Sequence, residues 1–445
     1  MKNSPFKAEI FLVINLAIAM SMLINPRLSE IYSIIIVLYG MYKIMAKKNS
    51  DGAAHVFAAY TVGIEVLFRM NSGGFSYEWG KYAVVLFLTL GFLVGGKRKI
   101  PISFVILILM LLPSIMYVDF GSFDLSRQMV SFNLSGPITL GVAGIYFYRR
   151  KIPLPQFRRV LLAMLYPIAA MSIFVYFRSG SLEDVEFTTE SNFQASGGFG
   201  PNQVSTIFGL GIMIVALAYF LNIRLFRLKY IGVILLLSFL VRGLATFSRG
   251  GMLAPAIAIA LTIIIMTLMD SRFKEKLNRV VYAFFFIFVI GFFGFYYVNE
   301  VSGGLLEMRF KGESMYNKEK SNMFSGREEI FEEDLTIFKD NALTGVGPGM
   351  ATFKRGEISG IEAAAHIEYS RLMAEHGVFG IAVIFIMVVL PIVTFFRLKS
   401  TDDRIILVMC TAFVFVTLGH AAMRTAAPGF IYGLAYIHLL RRPVR

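Results

Sequence analysis

Long apolar runs separated by short polar connections make up most of the chain from Phe11 onward. A helix needs about 20 apolar residues to cross a hydrocarbon core of about 30 Å. Runs fall near 8–24, 30–46, 54–70, 80–96, 101–118, 130–148, 158–177, 203–222, 228–246, 250–269, 278–298, 376–397, 403–420 and 427–440. They predict an all-α polytopic membrane protein with about 14 transmembrane helices (roughly 12–14, because several runs are short). Residues 1–298 would form a bundle of about 11 spans and residues 376–445 would add about 3 more. Between them, residues 299–375 form one long outward loop containing short helices. The first run, Phe11 to Ile24, lacks a small-residue cleavage site and reads as a span.

The basic residues supply an orientation. Alternate ends of the predicted spans hold Lys2 and Lys7, then Lys43, Lys47 and Lys48, then Lys97, Arg98 and Lys99, then Arg149, Arg150, Lys151, Arg158 and Arg159. The series continues with Arg224, Arg227 and Lys229, with Arg272, Lys274, Lys276 and Arg279, with Arg397, Lys399 and Arg404, and with Arg441, Arg442 and Arg445. By the positive-inside rule these ends are cytoplasmic, so both termini are inside. The formal charge of +14 is then a topological signal, and nucleic acid is not needed as a partner. Composition agrees: 56% of residues are hydrophobic, 16% are charged, and mean hydropathy is +0.67. A soluble domain carries about 25% charge. The single cysteine, Cys410, sits in an apolar run and supports neither a disulfide framework nor a thiolate metal cluster.

The outward connections hold few basic residues: Arg27, Arg69, Lys81, Arg127, Arg178, Arg242, Arg249 and Arg424, all arginine but one. Guanidinium is a planar fork that grips phosphate oxygens in pairs, so this bias suggests anionic phosphate groups on that face. Structural pairing and chance give the same bias. Glu65 and Arg69, four apart in one span, read as a buried structural pair.

Four stretches could carry chemistry. Thr246-Phe-Ser-Arg-Gly-Gly251 sits at an outward turn, with Ser248 a candidate cap and Arg249 beside the next helix N-terminus, where amides and guanidinium together favour an anion. Arg242 lies two turns earlier and should face the bundle interior. Alternatively, both arginines bond loop carbonyls. Ser325-Gly-Arg-Glu328 has capping-box spacing, and Arg327 sits in the first turn of a loop helix, free to hold an anion or to pair with a nearby acid. Asn341-Ala-Leu-Thr-Gly-Val-Gly-Pro-Gly349 reads as a tight turn with close backbone approach; it lacks the Lys-Ser/Thr of a phosphate-binding P-loop. Ala365-His-Ile-Glu-Tyr-Ser-Arg-Leu-Met-Ala-Glu375 leads helically into a span and breaks at Gly377. Arg371 and Glu375 can pair there, and His366 is suited to general-base work or to a polar cap. The five histidines lack metal-ligand spacing, so no metal and no cofactor are expected. Asn202 is placed to cap the span that follows it.

Taken in order, Gly200-Pro-Asn-Gln-Val204, Thr246–Gly251, Ser325-Gly-Arg327, Leu343–Gly349, Ala365–Tyr369 and Ala374–Gly380 resemble the bacterial O-antigen polymerase and O-antigen ligase superfamily over roughly residues 200–380. The resemblance implies a metal-independent, inverting glycosyltransferase of the inner membrane, active on the periplasmic side. It implies undecaprenyl-pyrophosphate-linked oligosaccharide as donor, and an acceptor glycan or lipid A core. Membrane lipids and a chain-length regulator protein are the further partners it suggests. By position, Arg249 and Arg327 match pyrophosphate-binding arginines and His366 matches the catalytic base. Arg242, Arg371, Glu375 and Arg424 would support them. Where the family often has Asn after that histidine, this chain has Ile367. The high span count favours an O-antigen or surface-polysaccharide polymerase over a ligase. A lipid-linked oligosaccharide flippase or other transporter is the alternative of another class; the expected paired repeats and midplane charges are not found.

Overall fold

The computed structural model describes residues 6–74, 76–96, 99–313, 327–360 and 367–441. The chain is nearly all helical, with 76% of its residues in helices. The helices are α1 (Phe6–Ile24), α2 (Arg27–Ala46), α3 (Ala53–Met70), α4 (Trp79–Val94), α5 (Ile102–Met110), α6 (Phe123–Phe147), α7 (Leu154–Ser179), α8 (Pro201–Phe220), α9 (Lys229–Ala245) and α10 (Arg249–Met269). They continue as α11 (Leu277–Val301), α12 (Leu305–Lys311), α13 (Arg327–Asp340), α14 (Met350–Ser359), α15 (Glu368–Arg397), α16 (Thr401–Leu418) and α17 (Ala426–Leu434). Two three-residue strands, β1 (Lys151–Pro153) and β2 (His438–Leu440), pair in parallel, which the sequence reading does not anticipate.

Among the described residues eight helices are long and apolar enough to cross a membrane: α1, α2, α3, α6, α7, α8, α10 and α15. The count becomes nine if α11 and α12, bent by 114°, make one broken span. The expected total of about 14 is not reached, for physical reasons that differ by helix. α5 has 9 residues and ends just before a 3-10 turn at Pro113–Tyr117. α17 also has 9 residues, and the chain after it turns into β2 rather than finishing a span. Nine residues of helix are about 14 Å long, half of what a core of about 30 Å requires. α4 and α9 have 16 and 17 residues. α16 opens with Asp402, Asp403 and Arg404.

Apolar side chains serve two solvents here. Of the apolar window of α8, 89% is buried against other helices, and every residue of α17 is buried. α1, α2 and α15 bury only 28% of theirs, leaving Phe11, Ile35, Leu38, Phe385 and Phe396 as a surface that fits lipid. Where the central helices cross, small residues permit backbone contact. A Cβ on Gly209 of α8 would enter the Gly251 carbonyl of α10, and one on Gly251 would strike Ser205. The second glycine of the Ser-Arg-Gly-Gly turn is therefore a packing requirement.

Long-range hydrogen bonds fix the two ends of the bundle. At one end Arg159 donates to the Asp51 carbonyl (2.8 Å), Arg158 to the carbonyl of Arg224 (2.6 Å), Arg404 to Asp270 (3.2 Å), and His438 lies 2.9 Å from Asp403. The described basic clusters read as cytoplasmic meet here. At the other end Arg178 donates to the Met70 carbonyl (2.9 Å), and the candidate residues gather there.

Candidate functional site

The site begins with a break in a helix. Gly377 sits inside α15 at φ 60°, ψ −138°, a conformation that essentially only glycine adopts. The glycine-rich turn 345–349 fits against this break. Val346 N–H donates to the Ala374 carbonyl (3.1 Å), Gly347 N–H to the Glu375 carbonyl (3.0 Å), and Val378 N–H to the Ala342 carbonyl (2.8 Å). Gly345, Gly347 and Gly349 all have positive φ, and any side chain at Gly345 would run into the Glu375 backbone. The close approach expected of this turn is thus to α15. His376, at the break, is buried, with Nδ1 2.6 Å from Ser114 Oγ and with no partner for Nε2 among the described residues.

Before the break, α15 carries a buried triad. Arg371 is paired with Glu368 and donates to Glu375 (2.7 Å), so the predicted i,i+4 pair is one arm of a double ion pair. Its remaining donors reach the side-chain and backbone oxygens of Asn133 on α6, both at 3.2 Å. Arg371 therefore has its guanidinium satisfied within the protein. Asp334 on α13 pairs with Arg355 on α14 and accepts from Ser370 (2.6 Å), which docks the two loop helices onto α15. Burial raises the Asp334 pKa, and the adjacent Arg355 pulls it back.

A strap, residues 419–425 between α16 and α17, crosses this end of the bundle. Buried charged groups grip its backbone. Arg69 donates to the Arg424 carbonyl (2.8 Å), Lys81 reaches the Met423 carbonyl (3.5 Å), Met423 N–H donates to Glu368 (3.2 Å), and Ala426 N–H, just beyond it, donates to Glu65 (2.7 Å). Glu65 and Arg69 form the buried pair read from their spacing (2.7 Å), and Glu78 pairs with Lys81. The strap brings Arg424 to a cavity of about 100 Å³ lined by Asn133, Thr352, Glu368, Arg371, Met129 and Phe132. Burial lowers the Arg424 pKa from the ordinary arginine value.

Arg249 occupies a second place at the same end. It is the first residue of α10 and donates to the Arg309 carbonyl (2.9 Å). Ser248 stands at the N-cap position, but its hydroxyl donates to Asn202 (2.8 Å) instead of capping α10. Asn202 in turn does not cap α8, which begins at Pro201. Gly250 packs on His420, whose ring lies 3.2 Å from Thr206 and which leads into the Arg424 strap. Arg242 is buried as expected, bonded to Ser179 (3.2 Å) and lying over the Tyr176 ring. The helix does not continue from it to Arg249, because Phe247 turns the chain at φ 54°.

Below Arg249 an apolar groove of about 500 Å³ opens between α10 and α11. α11 packs on α9 more than on α10, which leaves the cleft. Met252, Ala256, Ile259 and Ala260 of α10 line it, three, seven, ten and eleven positions after Arg249, on one helical stripe. Ile287, Phe288, Phe292 and Phe295 of α11 line the other wall.

Of the residues singled out from sequence, the structure brings Arg371, Glu375 and Arg424 together and places Arg249 at the same end. Arg327 is the first described residue of α13. His366 and the capping residue Ser325 lie outside the described residues. The sequence reading missed Glu368, Asn133, Lys81 with Glu78, and the Asp334–Arg355 pair. Spacing could have signalled Glu368–Arg371 and Glu78–Lys81, both i,i+3; the others join distant segments. Among the described residues no three His, Cys, Asp or Glu side chains are placed to hold a metal ion, and the carboxylates named above already face cations.

No curated protein matches the chain. Residues 234–385 match the family model described as O-antigen ligase, a stretch that runs from α9 through the triad of α15. Over that stretch, about a third of its length, the chain is similar to the O-antigen ligase/polymerase superfamily.

Proposed function

We propose that this multi-pass protein is a glycosyltransferase that moves an undecaprenyl-pyrophosphate-linked oligosaccharide to an acceptor hydroxyl at the outer face of the bacterial inner membrane. One observation carries the reading. Arg249 stands at a helix N-terminus, and the apolar groove runs from it along the same stripe of α10. A cationic head site followed by an apolar channel suits a ligand with an anionic head and a long hydrocarbon tail. The polyprenyl tail would lie in the groove, and Arg249 with Arg327 would hold the diphosphate.

In the reaction the acceptor oxygen attacks the anomeric carbon and the sugar–phosphate C–O bond breaks. The diphosphate leaves with the bonding pair, and the hydroxyl proton passes to His366. Attack opposite the leaving group inverts the anomeric centre. Fixed guanidinium groups in a water-poor site stabilise the charge that grows on the diphosphate, without a metal. The acceptor is read as a second lipid-linked repeat, which makes the protein a polymerase. A ligase that uses lipid A core has the description of the matched family in its favour.

Gel profiling of surface polysaccharide in a deletion strain tests this. Core capped by a single repeat identifies a polymerase; lipid-linked polymer without core attachment identifies a ligase. His366→Ala is expected to lower product formation about 10²–10⁴-fold. Arg249→Lys keeps the charge and loses the fork, and is expected to lower it about tenfold or more. Wild-type ladders from both variants at normal expression would refute the assigned roles.

A further inference from the structure

The cavity under the strap differs in electrostatic character from the Arg249 site. Its surroundings hold Glu65, Glu78, Glu368 and Glu375 against Arg69, Lys81, Arg371 and Arg424, so the formal charges cancel. A diphosphate needs surplus positive charge, and Arg371 is already divided between two carboxylates and Asn133. A neutral cavity that offers a carboxylate, a guanidinium, an amide and a hydroxyl beside an aromatic ring suits a ligand that is itself neutral and rich in hydroxyls. The Thr352 hydroxyl accepts from Arg355 (3.1 Å) and keeps its own proton to donate, and Asn133 keeps a second amide hydrogen beside the one given to the Met129 carbonyl (2.9 Å). Glu368, held by Arg371 and the Met423 N–H (3.2 Å), has lone pairs left to accept, and Arg424 and Phe132 complete the lining. The volume, about 100 Å³, admits several waters or the edge of one sugar ring.

Resting on the glycosyltransferase reading above, we propose that this cavity is a saccharide subsite, in which Glu368 and Arg424 bind hydroxyls of a sugar ring next to the reacting bond. The diphosphate and the sugar then occupy separate places at one end of the bundle, linked by the Gly250–His420 contact and the strap. The backbone clamps on residues 423 and 424 are what hold the Arg424 guanidinium at the cavity.

Binding of two probes to the full chain in nanodiscs tests the assignment: the lipid-free oligosaccharide released from the bacterium's own surface polysaccharide, and undecaprenyl diphosphate without sugar. Arg424→Gln should weaken the oligosaccharide about tenfold, the effect of losing one charged hydrogen bond, and leave undecaprenyl diphosphate within about twofold. Met129→Trp fills the cavity without removing a side-chain hydrogen bond, and should give the same pattern even if Arg424→Gln fails to fold. Wild type that binds undecaprenyl diphosphate but no oligosaccharide at millimolar concentration overturns the subsite and leaves the function above standing. So does wild-type oligosaccharide affinity in folded Arg424→Gln and Met129→Trp chains. Weakening of undecaprenyl diphosphate instead overturns it as well, by making the cavity part of the diphosphate clamp. Wild type that binds neither probe overturns both the subsite and the reading beneath it.

Discussion

An Arg371→Leu protein is expected to lose about 3–5 kcal/mol of stability, because removing one partner leaves buried charge uncompensated. Glu368 and Glu375 are each at most 1% exposed, and Arg371 is the ion-pair partner of both. The two carboxylates would face each other across a leucine with no counter-charge between them, and Asn133 would lose the two hydrogen bonds it accepts. Thermal unfolding followed by fluorescence-detected size exclusion in detergent measures the loss. The triple variant Glu368→Gln, Arg371→Leu, Glu375→Gln should recover much of it, since a neutral replacement of a buried ion group is often well tolerated. A single variant that melts like wild type would mean the triad contributes nothing to the fold.

The second large effect is expected at the helix break. Gly377→Ala places a Cβ 2.6 Å from the Ala342 carbonyl oxygen at a backbone angle that L-residues avoid. Strain of this kind costs about 1–3 kcal/mol before any clash is counted. Gly303 separates the two contributions: it has φ 65°, and a Cβ there meets nothing within 4 Å. Gly303→Ala should therefore cost about 1–2 kcal/mol, the conformational part alone. The excess loss in Gly377→Ala over Gly303→Ala, read from melting temperatures, reports the turn-to-helix contact together with the glycine-only ψ of the break. Equal losses would show that the glycine turn does not brace α15.

Much of the site was legible as local spacing. Arg371–Glu375 and Glu65–Arg69 are i,i+4 pairs, and Gly377 marks a break in an otherwise helical stretch. What could not be read was the partner across space. Asn133 and Arg371 are 238 positions apart, and the Arg69–Arg424 hydrogen bond spans 355. No periodicity carries such pairings. Caps failed for a related reason: Ser248 and Asn202 have capping chemistry, but they meet each other first. The helical class followed from the apolar runs, while eight or nine of the expected spans are long, apolar helices among the described residues. Hydropathy reports removal from water and cannot tell lipid from a protein interior, so the nine fully buried residues of α17 read as part of a span. α5 with its 3-10 turn, Ile102–Tyr117, is apolar and only partly buried, and differs from a span in its length.

The strap also sets an order for making the protein. Glu65, Arg69 and Lys81 leave the ribosome early, yet the backbone groups of residues 423, 424 and 426 that they bind are translated more than three hundred residues later. Until those residues arrive, the early helices hold polar groups awaiting late partners. A chain halted before residue 420 would keep the Glu65–Arg69 and Glu78–Lys81 pairs but lack the strap backbone that takes up their remaining hydrogen bonds. The same charges that shape the mature cavity thus mark whether synthesis has run far enough to close it.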